Sequence, residues 1–496
     1  MCRPDLTRRL AVAVLASLAL GRVTAERPAS PVVPVAPHGQ DVPRDLPSDT
    51  FPEAVSQANL LATVRELVAL GPRAGGTPSG DAAAAYLSEA FARLGLPAIV
   101  VDDPPIQAYW ADRWEARLWP TGERLESAWP YRYAPSIDPP ATAPLVSIAS
   151  RERAEPAQWR DRIVYTRDAP AFVYARLIDA EHRPVALLTS APHEPEKYED
   201  AAFLGALPAA APSIPVLALS RRDGDRVAAA ASAGGAARLH LIARTRRAPP
   251  KTVVATLAGP PEGGYYLVTA HGDSDSGGPG ADDNASGVAA VLEVARLLTE
   301  LSRAHPTLLP FSIRFAIWGE EYHSARSYVG REGSALAGCL GVINIDQAGT
   351  GAEREAVYVE GNDVPWNAPL LRQFEGVGSE HLGAPGYWPE FVTTPTQGGT
   401  DAYEFLPPRY KGTGKVSREI PSVTVYTAAW NALTRLAQTP GWPGTAGAPG
   451  AVLIDYSRFY HSSGDLPENT TEREPQNMVR VVKAVGLTLL RLAQPD

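Results

Sequence analysis

The sequence predicts an α/β protein: a mostly parallel central sheet with helices on both faces, and an α/β accessory segment inserted into it. Three observations carry this expectation. From Lys251 onward, short runs rich in β-branched and aromatic residues alternate with longer runs whose apolar residues recur at helical spacing. Such alternation is the pattern of parallel strands joined through helices. Segment 130–246 breaks that rhythm with short β-like runs, alanine-rich helices and proline-rich turns, and 496 residues exceed what one core usually organises.

Residues 1–25 read as a secretory signal peptide. Arg3, Arg8 and Arg9 precede a short apolar run over 10–21, and Val23-Thr-Ala25 supplies small residues before a cleavage point. The run is too short to span a membrane, and Thr7-Arg8-Arg9-Leu10 also resembles a twin-arginine signal. Export, to the periplasm or beyond the cell, is expected, with no membrane partner once the signal is removed. Residues 26–56 form a proline-rich leader. Helical periodicity starts near Ala58 with Leu60, Leu61, Val64, Leu67 and Leu70. It breaks at Gly71-Pro-Arg73, resumes over 81–94, and gives way to a strand at 98–101.

Residues 57–129 and 247–496 are assigned to the main domain and 130–246 to the insert. Strands of the insert are expected at 145–148, 163–165, 185–189, 214–219 and 237–243. Those of the main domain are expected at 253–257, 265–270, 312–318, 342–345, 356–359 and 423–426. Helices are expected over 284–301, near 323–336, near 365–376 and over 473–493.

Charged residues at 20% and hydrophobic ones at 45% describe an ordinary globular chain. A net charge of −9 leaves no basic footprint, so nucleic acid is not an expected partner. Cys2 lies within the signal, and Cys339 alone remains in the mature chain, so no internal disulfide can form. Stability must come from a large core, from metal, or from both. Asn284-Ala-Ser286 and Asn469-Thr-Thr471 match the glycosylation triplet. A glycan on Asn284 would block the cleft described next.

The run 265–270 ends in His271-Gly-Asp273 and a loop dense in Gly, Ser and Asp. Asp283-Asn-Ala-Ser-Gly287 then leads into a helix. In open α/β sheets the carboxyl ends of strands face the binding crevice. The strand 312–318 ends in Gly319-Glu320-Glu321, and adjacent carboxylates there repel unless a cation compensates them. Strand 342–345 ends in Asp346, and Tyr460-His461 lies in a small polar run near the carboxyl end. Zinc takes imidazole nitrogen and carboxylate oxygen, and two zincs can clamp a hydrolytic transition state. Five residues sharing one bridging carboxylate supply three ligands per metal, and a sixth acid can accept a proton from water.

This ordered set resembles the zinc aminopeptidase family that includes glutamate carboxypeptidases, glutaminyl cyclases and the transferrin-receptor ectodomain. The resemblance is carried by His271-Gly-Asp273, Gly280-Ala-Asp-Asp283-Asn-Ala-Ser-Gly287, Trp318-Gly-Glu320-Glu321, Asn344-Ile-Asp346 and Tyr460-His461. With Gly71-Pro-Arg73 and the closing helix it covers most of residues 57–493. It implies a zinc exopeptidase fold and two Zn²⁺ ions bridged by Asp283. Glu321 and His461 would complete one site, and His271 and Asp346 the other. Glu320 would be the general base and Asp273 would orient His271. The insert resembles a protease-associated domain.

Two departures from the family pattern are visible. Tyr322-His323-Ser follows the paired glutamates, which makes His323 either a cleft residue or an ordinary helix-start residue. Ala402 stands where a histidine is frequent. Tyr460 either hydrogen-bonds a developing oxyanion or packs beneath the ligand loop. The expected activity is removal of residues from the amino end of peptides, because acids dominate the ligand set and suit an α-ammonium. Arg409 and Lys411 are the loop cations that could reach a substrate carboxylate. Trp366, Tyr387, Trp388, Tyr403 and Phe405 are expected to give a pocket for large hydrophobic first residues, or to serve as core. Carboxypeptidase, glutaminyl cyclase and a metal-free receptor-like ectodomain are the alternatives.

Overall fold

In the computed structural model the described residues are 50–148, 158–168, 170–177, 183–190, 198–207, 214–274, 277–350, 356–396, 400–407, 419–427 and 459–494. The expected signal peptide, the leader before Thr50, and the loop residues Arg409 and Lys411 lie outside them. Among the described residues no helix is long and apolar enough to cross a membrane.

Helix α1 (Gln57–Ala69) starts at Ser56, whose hydroxyl accepts the Asn59 N–H. Helix α2 (Pro78–Arg93) starts at Thr77, whose hydroxyl accepts the Gly80 N–H. Pro78 takes the first helical position, where a missing N–H costs nothing. Strand β1 (Ile99–Asp102) follows.

A separate sheet comes next. Strands β2 (Ile106–Trp119), β3 (Trp129–Pro130), β4 (Ile137–Ser147), β5 (Ile163–Thr166), β6 (Ala186–Thr189), β7 (Val216–Ala218) and β8 (Ala236–Ala248) lie in the order β2-β8-β4-β5-β6-β7-β3. Helices α3 (Pro170–Leu177) and α4 (Arg221–Ser232) belong to the same segment. This sheet begins at Ile106 and not near residue 130. Strand β2 pairs with β8 from Ile106↔Ala248 to Trp119↔Ala236, and much of its length is half-exposed. Its charges and aromatics therefore lack the clean alternation that marks a strand with one buried face.

Strand β9 (Lys251–Leu257) returns beside β1, where Asp102 pairs with Lys251 and the Asp103 N–H donates to Pro250 O at 2.9 Å. The larger sheet continues with β10 (Tyr265–His271), β11 (Ser312–Trp318), β12 (Cys339–Ile345), β13 (Val357–Glu360), β14 (Phe391–Thr394) and β15 (Ser422–Tyr426). Its order is β1-β9-β11-β10-β12-β15-β13-β14. Strands β11, β10, β12 and β15 run parallel at its centre. Residues 45–496 make one compact unit holding both sheets.

Four helices complete the larger layer: α5 (Gly287–Ala304), α6 (His323–Glu332), α7 (Ala368–Glu380) and α8 (Gln476–Leu492). Apolar residues of α1, α2, α5, α7 and α8 pack on one face of the sheet. Ala325, Tyr328 and Val329 of α6 cover Leu267, Ala316 and Trp318 on the other. A helix on both faces forces the central strands to be apolar throughout, as the fully buried run of β12 from Gly341 to Ile345 shows. Each buried aliphatic side chain contributes about 1.5–3 kcal/mol. Phe51 packs directly on α8 at Gly486, where a Cβ would overlap its ring. Cys339 is buried, and its thiol donates to Gly341 O at 3.7 Å.

The central order brings the carboxyl ends of β11, β10 and β12 side by side. The residues that follow those three strands are therefore placed in one crevice.

Candidate metal centre

His271 closes β10 and is 1% exposed. Its Nδ1 faces Asp273 Oδ1 at 3.2 Å, while its Nε2 faces Asp283 Oδ1 at 3.2 Å and Asp346 Oδ1 at 3.4 Å. Burial opposes a charge on this imidazole, yet Asp346, Asp273 and Asp283 together hold its pKa well above the usual value. The surroundings call for positive charge. One imidazole has too few protons for three carboxylates, and Asp346 Oδ1 is buried without a hydrogen bond. A cation held by His271, Asp283 and Asp346 satisfies all of them. Tetrahedral bonds of about 2.0–2.2 Å would place neighbouring donors roughly 3.3–3.6 Å apart, close to the separations found here.

Asp283 uses both oxygens. Oδ1 faces His271, and Oδ2 lies 3.2 Å from His461 Nε2. A carboxylate divided between two imidazoles has the geometry of a bridging ligand. Among the described residues, His271, Asp283 and Asp346 are the one group of three or more His, Cys, Asp or Glu whose ligand atoms all lie within 4.8 Å. His461 and Glu321 are not part of that tight trio. Glu321 follows β11, its side chain engages the Tyr322 hydroxyl, and its N–H donates to Asp273 Oδ1 at 3.0 Å. Asp273 thus ties the loop after β10 to the loop after β11.

Other groups hold the ligands in place. Thr269 donates to Asn344, Asn344 to Thr400, and Thr400 to Asp346 Oδ2, over 2.8, 2.6 and 3.2 Å. Asp465 accepts the N–H groups of Asp282 and Asp283 at 2.8 and 3.0 Å. Its burial pushes its pKa up to about 6. The buried guanidinium of Arg73 donates to the carbonyls of Gly272, Pro279 and Gly280 at 3.1, 2.9 and 2.7 Å. It braces the loop that carries Asp283. Asn284 is wholly buried: it donates to Ile345 O and accepts from Gly287 N and Gln347 N, so it is a structural residue and not a glycan site. The Asp283–Asn284 peptide is cis.

Tyr322, Gln347 and His461 have φ of 53°, 50° and 51°. Two of them directly follow a candidate ligand and the third is one. Left-handed backbone at residues other than glycine costs about 1–3 kcal/mol each and collects at functional sites.

Glu320 lies close to Asp273, the partner of His271, and its own partners come from outside the trio. Its Oε1 accepts from Arg132 Nη2 at 2.6 Å and its Oε2 from the Gly75 N–H at 2.7 Å. Burial raises its pKa, and the Arg132 guanidinium only partly offsets this. Arg132 belongs to the second sheet's segment and has no neighbour in the sequence that marks it. Asp401 is also buried here, with its pKa pushed up to about 8 by burial, and accepts the Tyr322 N–H at 2.7 Å.

Several expectations need correction or refinement. The Tyr460 ring is stacked on His461 with centroids 3.6 Å apart, and its carbonyl accepts the Tyr198 hydroxyl. His323 starts α6 and is turned to Pro104 O at 2.7 Å. The aromatic residues expected to shape a first-residue pocket are committed to packing. Trp388 and Phe405 are core, Tyr387 packs against the core, Trp366 and Tyr403 pack together near Val364, and the Tyr403 hydroxyl bonds Glu360. Arg132, which the sequence reading did not single out, places a guanidinium on Glu320.

A buried His–Asp–Asp trio at the carboxyl edge of a parallel sheet, with an acid beside it, defines a metallohydrolase. Residues 252–486, which carry the trio, match the model of peptidase family M28, and this match supports a metallopeptidase of the M28 type. No curated protein matches the chain by sequence. Among solved structures, the fold is similar to a zinc aminopeptidase from Bacillus subtilis, at 18% identity and TM-score 0.59, covering 89% of this chain and 96% of that one. An M28 peptidase precursor from Shewanella amazonensis is similar at 16% identity and TM-score 0.60, covering 90% and 96%. An aminopeptidase from Aneurinibacillus is similar at 18% identity and TM-score 0.50, covering 90% and 97%.

Proposed function

We propose that the protein is an exported exopeptidase that uses two zinc ions to remove residues from the free amino terminus of peptides. The observation that carries this reading is Asp283, whose two oxygens are divided between His271 and His461. His271 and Asp346 would hold one ion, Glu321 and His461 the other, with Asp283 between them. Zinc, when bound, polarises a carbonyl and makes a water acidic near neutral pH. Glu320 accepts the proton of the attacking water and returns it to the leaving nitrogen as the peptide C–N bond breaks. Asp273 fixes the His271 ring, and Tyr460 stacks on His461 and holds its plane. Acids around the trio suit an α-ammonium. We take the second sheet to be the protease-associated insert, and export to rest on the amino-terminal pattern. The proposal specifies a free amino terminus and no particular first side chain.

Arg132 favours one other reading, a carboxypeptidase, because a guanidinium beside the base could receive a terminal carboxylate. A matched pair of leucyl peptides, one acetylated at its amino group, separates the two. Cleavage of the free peptide alone, with leucine released first, is expected. Equal cleavage of both, or release from the carboxyl end, removes the aminopeptidase reading.

A further inference from the structure

A cavity of about 420 Å³ opens between the second sheet and the segment joining α1 to α2, within the size range of small-ligand sites. One wall is the turn before α2, with Leu70 and Pro72. The facing wall is aromatic: Tyr109, Trp110 and Trp114 of β2, and Trp129 of β3. The wall is held firmly. The Trp114 and Trp129 rings pack with centroids 4.9 Å apart, and Trp114 Nε1 donates to Ala128 O at 2.7 Å.

Two contacts join this cavity to the metal centre. Arg132 lines it and reaches Glu320 Oε1 at 2.6 Å. Gly277, in the loop between His271 and Asp283, also lines it and accepts the Trp129 Nε1–H at 3.1 Å. Arg132 Nε and the Tyr109 hydroxyl are buried without hydrogen-bond partners, so two lining residues each keep an unused donor.

We infer that this cavity receives the side chain of the residue that follows the scissile bond, and selects large apolar or aromatic side chains there. The inference rests on the exopeptidase reading above. Glu320 must return its proton to the leaving nitrogen, so that nitrogen comes within hydrogen-bond reach of Glu320. The side chain one carbon further on then lies next to Arg132, the residue that both touches Glu320 and lines the cavity. Charge agrees with this placement. A guanidinium repels the substrate's α-ammonium, which belongs on the other side of the bond beside the acids. The aromatic wall offers apolar surface to whatever follows.

The test is a series of leucyl dipeptide amides, Leu-Gly, Leu-Ala, Leu-Phe and Leu-Trp, hydrolysed by the intact zinc-loaded enzyme. Discrimination by a hydrophobic pocket is about tenfold or more for a modest change in size, so kcat/KM for Leu-Phe should exceed that for Leu-Gly by at least about tenfold. The ratio should fall toward one in Trp110→Ala, and in Trp114→Leu as a second variant. Because it is internal to each preparation, a partly folded variant does not distort it. No preference in the wild-type enzyme overturns the inference and leaves the exopeptidase standing. A preference that persists undiminished in both variants also overturns it. Failure to cleave any free leucyl amide removes the exopeptidase reading and the inference with it.

Discussion

Glu320 is the residue whose surroundings most constrain its role. Arg132 and the Gly75 N–H each occupy one of its oxygens, yet a carboxylate keeps further lone pairs for a proton. Glu320→Gln removes the proposed base and no proposed ligand, so kcat should fall about 10²–10⁴-fold with zinc content unchanged by metal analysis. Asn284 makes a second prediction. Replacing it with Ala leaves Ile345 O, Gly287 N and Gln347 N without their buried partner. The cost should be about 1–3 kcal/mol, read from urea unfolding of the chelated protein. The sequence made His271, Asp283 and Asp346 legible because each ends or follows a strand or precedes a helix at the same sheet edge, where the structure brings the three together. Arg132 stands 188 positions from Glu320, and no local pattern connects the two. Asp465 was hidden for the opposite reason: a short polar loop gives no sign that its carboxylate will hold two backbone N–H groups.

At the level of elements, periodicity located the strands that bear the site to within a few residues, because strands buried on both faces are continuously apolar. It failed for β2, whose half-exposed ribbon with β8 mixes charge and aromatic residues, and so it set the start of the second sheet too late. It could not decide between pocket and core for the aromatics between 366 and 405, since burial on a helix or beneath a sheet reads the same as a pocket wall, and the structure places them in packing. Helix α8 offers a test of packing. Alanine favours helix over glycine by about 1 kcal/mol, but a Cβ at Gly486 overlaps the Phe51 ring. Gly486→Ala should therefore destabilise by about 1–3 kcal/mol. In the double variant with Phe51→Ala, the two effects should be clearly less than additive in thermal or urea unfolding.

For the whole molecule, the metal centre is part of stability as well as chemistry. Without an ion, the buried carboxylates of Asp283 and Asp346 face each other across a single imidazole. Chelation should abolish activity and lower Tm, and restored zinc should recover both, with stability continuing to rise with the logarithm of free metal above its dissociation constant. An unchanged Tm in the chelated protein would confine the ion to catalysis. The pairing of Asp102 with Lys251 has a different consequence. In connectivity, residues 103–250 are the loop of a β-hairpin, and the second sheet is what fills that loop. Closure entropy rises only with the logarithm of loop length, about 0.6 kcal/mol per doubling. Recombination can therefore lengthen, shorten or exchange the whole segment without shifting the register of the larger sheet. Such an exchange would replace, in one step, both the guanidinium clasping Glu320 and the aromatic wall that Arg132 shares, while the strands bearing the trio keep their places.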